Sequence, residues 1–164
     1  MATNNSTSLT FQTRGLSTVE LICRRLRRVD EAKGGKTSTN ADAKVIQKQD
    51  APHSLFAQLS MKITGQPSDP TEKTSFSVEL IIETELQFTA EAPEPDSLSS
   101  EMVNSIFEPL FFTALERCRL NIWQMGYNGV RLPIKPINFN EIPKTSNTLK
   151  KIIKKRPPKS KNAE

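Results

Sequence analysis

A single histidine, two cysteines, one tryptophan and one tyrosine among 164 residues leave little material for side-chain chemistry. His53 stands beside Pro52 in a run that reads as a loop, so Ser-His or Cys-His catalysis would depend on that one ring; an ordinary loop histidine is the better reading. One histidine and two distant cysteines also fall short of a structural zinc set, and neither a metal nor a cofactor is expected. Uninterrupted apolar stretches such as Leu110 to Phe112 are far below the roughly 20 residues of a spanning helix, so no membrane insertion is expected. Met1 to Thr10 is rich in Asn, Ser and Thr and has no basic stretch followed by an apolar one, which reads as no secretory signal. With Cys23 and Cys118 read as free thiols, the expected location is cytoplasmic.

Two further patterns come close to catalytic motifs and fail. Gly35-Lys36-Thr37 looks like the end of a phosphate-binding loop, but the glycine required five residues earlier is Asp30, so a flexible basic loop is the stronger reading. Glu79, Glu83 and Glu85 share a strand face, where a solvated acidic surface is commoner than paired catalytic acids. The chain therefore reads as no enzyme.

What is present is charge segregation and a change of hydrophobic period. The formal net charge of +5 conceals an acidic stretch, residues 51–100, with 2 basic and 8 acidic side chains, and a final stretch, 151–164, with 6 basic and 1 acidic. Arg24, Arg25, Arg27 and Arg28, together with the lysine-rich end, would suit nucleic acid. An RNA- or ribosome-binding module using the basic tail is the competing reading to a solubilising tail.

Period-two alternation places Leu55, Ala57, Leu59, Met61 and Ile63 on one face, with Phe56 on the polar one. It is stronger still over Phe76, Val78, Leu80, Ile82, Leu86 and Phe88, opposed by the glutamates. A further strand is read at about Ser17 to Val29. Ala32 to Asp50 reads as a mobile connection. After Pro93 and Pro95 the period becomes helical: Val103, Phe107, Leu110, Phe111, Ala114, Cys118 and Ile122 form a wide stripe. Gly126 is placed to end this helix and Pro109 to kink or divide it. The fold class is α+β: an antiparallel, long-stranded sheet, three of its strands read from the alternation, with a long kinked C-terminal helix layer. Its expected limits are a disordered N-terminus at 1–14, a domain at 15–145 and a basic C-terminal tail at 146–164.

Phe76 to Ala90, the proline-bearing helix, and Gly126-Tyr127-Asn128-Gly129 running on to Pro136-Ile137-Asn138-Phe139 resemble the SecB family of protein-export chaperones. Ile137-Asn138-Phe139 after a proline is similar to that family's Pro-Val-Asn-Phe element. The resemblance implies a sheet of about four strands, with Val45 to Gln49 placed as the fourth, and a homo-oligomer, a dimer of dimers with helices between the sheets, that holds unfolded clients in apolar grooves without ATP. It implies client contact by Leu132, Ile134, Ile137, Phe139 and Ile142, with Phe56 and Trp123 as contributors. It also implies an acidic docking face, Glu79, Glu83 and Glu85, for a partner such as the export motor SecA, although the basic tail departs from the family pattern. An aggregation-prone antitoxin from a toxin-antitoxin module is the other client class that the resemblance suggests.

Overall fold

Alternating side chains over 54–66 and 76–88 become two adjacent strands because each has one apolar face to bury. The computed structural model describes residues 10–28, 35–69 and 71–132. It contains β1 (Phe11–Arg25), β2 (Lys36–Gln47), β3 (Ser54–Gln66), β4 (Phe76–Phe88) and, after one 3-10 turn at Pro95–Ser97, α1 (Ser100–Gln124). The sheet is antiparallel in the order β1-β4-β3-β2, so the strongest apolar strands are central and the two more polar ones are edges. α1 lies across β3 and β4 on one side. Leu59, Ile63, Val78 and Ile82 of the sheet meet Phe107, Phe111, Ala114 and Ile122 of the helix in one buried core.

The helix begins where its caps dictate. Ser99 accepts the Met102 N–H at 3.3 Å, satisfying one of the otherwise orphan donors of the first turn. It ends at Gly126, whose φ of 97° is open to glycine alone at little cost. There the Gly126 N–H reaches the Trp123 carbonyl at 2.8 Å and the Tyr127 N–H reaches the Ile122 carbonyl at 3.2 Å. Pro109 does not divide the helix, which continues unbroken through it. The proline and Ser105, whose carbonyl loses its donor, both sit on the exposed side, where water can replace the missing bond.

Two expectations need correction. The first strand starts at Phe11, before the boundary expected at residue 15 and the strand expected at Ser17, and it ends at Arg25, short of Val29. Its early part is held by the Phe11–Phe88 ring contact, with centroids 5.8 Å apart, and by Thr84 Oγ1 donating to the Gly15 carbonyl at 2.7 Å. Gly15, at φ 60°, forms a bulge that obscures the alternation. The stretch read as a mobile connection contains all of β2, which pairs with β3 from Lys36↔Gln66 to Gln47↔Leu55. Only its end, Val45 to Gln47, overlaps the expected fourth strand, because an edge strand needs few large apolar residues: the helix-side positions of β2 are Thr37, Thr39, Ala41, Ala43 and Val45.

Gly65 marks a close approach at the sheet end. A Cβ there would stand 2.2 Å from Cε1 of Phe76, whose buried ring is stacked on Tyr127 at 4.8 Å and has nowhere to go. Gly65→Ala is therefore expected to cost about 1–3 kcal/mol of stability, read from urea unfolding, in the manner of an overpacked core. An unchanged midpoint would contradict this packing.

Candidate functional site

The turn that ends α1 folds the chain back over the end of the sheet. Tyr127 is buried there, and its hydroxyl lies 2.8 Å from the Arg27 carbonyl and 3.0 Å from that of Ser75, spanning the strand ends beneath it. Thr37 Oγ1 donates to the Arg131 carbonyl at 3.4 Å, linking the returning segment to the start of β2. Between these ties lies an open pocket of about 590 Å³, lined by Gly35 to Thr37, Gly65, Gln66, Ser75, Phe76 and Gly126 to Arg131. Its floor is the Phe76–Tyr127 pair; its charged groups are Lys36 and Arg131. Val130 and Leu132 are partly buried and pack against the core beside it.

The three described candidate client residues, Leu132, Phe56 and Trp123, lie on different surfaces. Leu132 belongs to this end of the domain. Phe56 is on the opposite, outer face of the sheet, half-buried beneath Lys48, whose ammonium lies 3.5 Å from the ring centroid. Trp123 is on the helix, on the side turned away from the sheet, with the Arg119 guanidinium 4.7 Å from its ring. Ile134, Ile137, Phe139 and Ile142 lie outside the described residues. Lys36, Thr37 and Tyr127 were absent from the sequence-based set. The small-residue alternation of β2 was the signal that could have placed the first two.

The three glutamates do share the outer face, and each has a partner there. Glu79 meets Lys62 at 2.9 Å, Glu83 meets Lys48 at 3.4 Å, and Glu85 accepts from Ser54 Oγ at 2.6 Å. The hydrogen bond and charge of Lys62 hold the Glu79 carboxyl below the usual carboxylate range. A lowered pKa favours the folded state above the ordinary value, and that contribution disappears as pH falls through the lowered one. Lys62→Met is therefore expected to move the Glu79 titration back upward when followed by NMR; an unmoved titration would show that Lys62 is not the cause.

Apolar area stays uncovered in two places. On β1, Leu16, Val19 and Leu21 are 39%, 54% and 43% exposed. They sit at an edge with no outer strand among the described residues. On α1, Phe112, Leu120 and Trp123 are exposed on the side opposite the buried stripe. The thiols offer no reactive centre. Burial, with Cys23 nearby, pushes Cys118 up to about 12, and burial also raises Cys23, so both stay protonated and weakly nucleophilic at neutral pH. His53 contacts the Ala90 carbonyl at 3.0 Å, as a loop histidine does. No group of metal-ligating side chains occurs among the described residues. No helix there is long and apolar enough to cross a membrane.

This arrangement of four antiparallel strands and one C-terminal helix is a SecB-like fold. It is similar to the Rv1957 SecB-like chaperone of Mycobacterium tuberculosis, solved in complex with a ChAD peptide from the Rv1956 HigA1 antitoxin. The TM-score is 0.65 at 12% identity, over 77% of this chain and 93% of that one. A protein of unknown function from Streptococcus agalactiae also matches, with a TM-score of 0.44 at 12% identity, over 77% of this chain and 98% of that one. No protein-family model matches the sequence, and no curated protein does.

Proposed function

We propose that this protein is an ATP-independent holdase of the cytoplasm, binding unfolded polypeptide segments through apolar surface at the end of its sheet. The observation that carries this reading is the open pocket at the end of the sheet on a SecB-like fold, lined by the partly buried Val130 and beside Leu132. Leu132 leads into the Pro133-Ile134-Lys135-Pro136-Ile137-Asn138-Phe139 run that resembles the chaperone family. Apolar burial contributes about 25 cal/mol per Å² and is indifferent to direction, so such a surface tolerates many client sequences. The antitoxin peptide held by the structurally similar chaperone supports an antitoxin-like client over export. The pairing of Glu79, Glu83 and Glu85 with neighbours on their own sheet weighs against acidic docking of SecA.

The working form in this reading is a homo-oligomer, a dimer of dimers. Copies meet along the β1 edge and the outer stripe of α1, where Leu16, Val19, Leu21, Phe112, Leu120 and Trp123 stand uncovered. Light scattering from an aggregating, chemically unfolded client tests the function. Scattering is expected to fall to near zero at stoichiometric chaperone, with no added nucleotide. Aggregation that proceeds unchanged would overturn the proposal.

A further inference from the structure

The two edges of the sheet differ in a way that separates two kinds of partner. β1 is irregular: its register against β4 shifts between Arg14 and Leu16 and again between Thr18 and Glu20, and its exposed side chains include large apolar ones. A bulged edge is a poor template for arbitrary strands and suits a fixed partner shaped to it. β2 has no register shift over Lys36–Gln47. Among the described residues its backbone bonds only to β3, which leaves an outer row of N–H and C=O groups open. A regular edge of this kind accepts an extended peptide through main-chain bonds that do not depend on sequence.

The pocket sits at the first residues of that edge. Lys36 and Arg131 supply its charge, no acidic side chain lines it, and neither cation has an ion pair among the described residues. The surrounding end of the domain carries exposed Arg24, Arg25, Arg28 and Lys73 against Asp69 and Glu72, the latter paired with Arg27, while Glu91, Glu94 and Asp96 lie at the far end. We infer that β2 and this pocket form one recognition site for an extended peptide that places an acidic residue beside an apolar one. The peptide adds as a strand on β2, its carboxylate meets Lys36 and Arg131, and its apolar side chain packs beside the partly buried Val130. Gly129 leaves room for a backbone to approach closely, since a Cβ there would meet nothing within 4 Å. RNA fits the charge but not the rings, because Phe76 and Tyr127 are buried against each other and offer no free face for a base to stack on.

This inference rests on the holdase reading and names its client class. The test is fluorescence anisotropy on the full chain with two labelled, strand-forming peptides that differ only in Asp or Lys beside a central leucine. The acidic peptide is expected to bind about tenfold tighter at low salt, and the gap to shrink as salt rises. Lys36→Glu with Arg131→Glu should abolish or reverse the preference. Gly129→Phe, which has open space before it, should weaken both peptides, with thermal melting confirming that each variant folds. Equal affinity for the two peptides, or a preference that survives the double charge reversal, would overturn the inference. So would a single-stranded RNA oligonucleotide that binds tighter than the acidic peptide and displaces it. Suppression of client aggregation without charge preference would remove this inference alone; loss of that suppression in the unaltered protein would remove the holdase reading beneath it.

Discussion

Replacing Phe111 by alanine will destabilise the protein by about 3–5 kcal/mol, the largest single-residue effect expected here. Phe111 is 1% exposed, at the centre of the stripe that α1 lays on β3 and β4, with its ring edge-on to Phe112 at 5.8 Å. Removing it costs the transfer energy of the ring and leaves a cavity between two rigid layers that cannot close around it. Domains of this size are stable by roughly 5–15 kcal/mol, so the variant should melt roughly 6–20 °C lower. A loss below about 1 kcal/mol would mean that the helix is not seated on the sheet as described.

The second large effect concerns assembly. Val19 is 54% exposed on β1, so Val19→Lys should change the stability of one isolated copy by no more than about 0.5 kcal/mol. In a two-fold pairing of β1 edges each substitution appears twice, with two ammonium groups brought into one apolar contact. Trp123→Glu applies the same logic to the outer stripe of α1. Analytical ultracentrifugation should show the original protein as an oligomer and Val19→Lys as a smaller species, with the dissociation midpoint moved by more than about a hundredfold in concentration. Should the unaltered chain sediment as one copy, the β1 and α1 surfaces have some other occupant and the assembly part of the account is wrong.

The residues also show where sequence reading succeeds. β3 and β4 were legible because central strands bury one complete face, and the same demand made the apolar stripe of α1 plain. β2 was hidden because an edge strand is satisfied by Thr37, Thr39, Ala41 and Ala43, which carry almost no hydrophobic signal. The start of β1 was hidden by Gly15, whose positive φ inserts a bulge, and the second register shift, between Thr18 and Glu20, puts Leu16 and Leu21 on the same side despite their odd spacing. The candidate site was half legible. Leu132 and the glycine-rich turn before it came from a motif, whereas Lys36 and Thr37 join them only through a contact between residues far apart in sequence, Thr37 to Arg131. Phe56 and Trp123 share aromatic character with a client site, but β-alternation sends one to the outer sheet face and helical rotation sends the other away from the sheet.

The account depends most on a client strand lying along β2 and into the pocket beyond it. Amide hydrogen exchange of the intact protein, with and without a saturating unfolded client, tests this residue by residue. Slowed exchange should concentrate in Lys36 to Val45 and in Gly126 to Leu132. Protection confined to the outer sheet face around Glu83 and Phe56, or found nowhere, would contradict it.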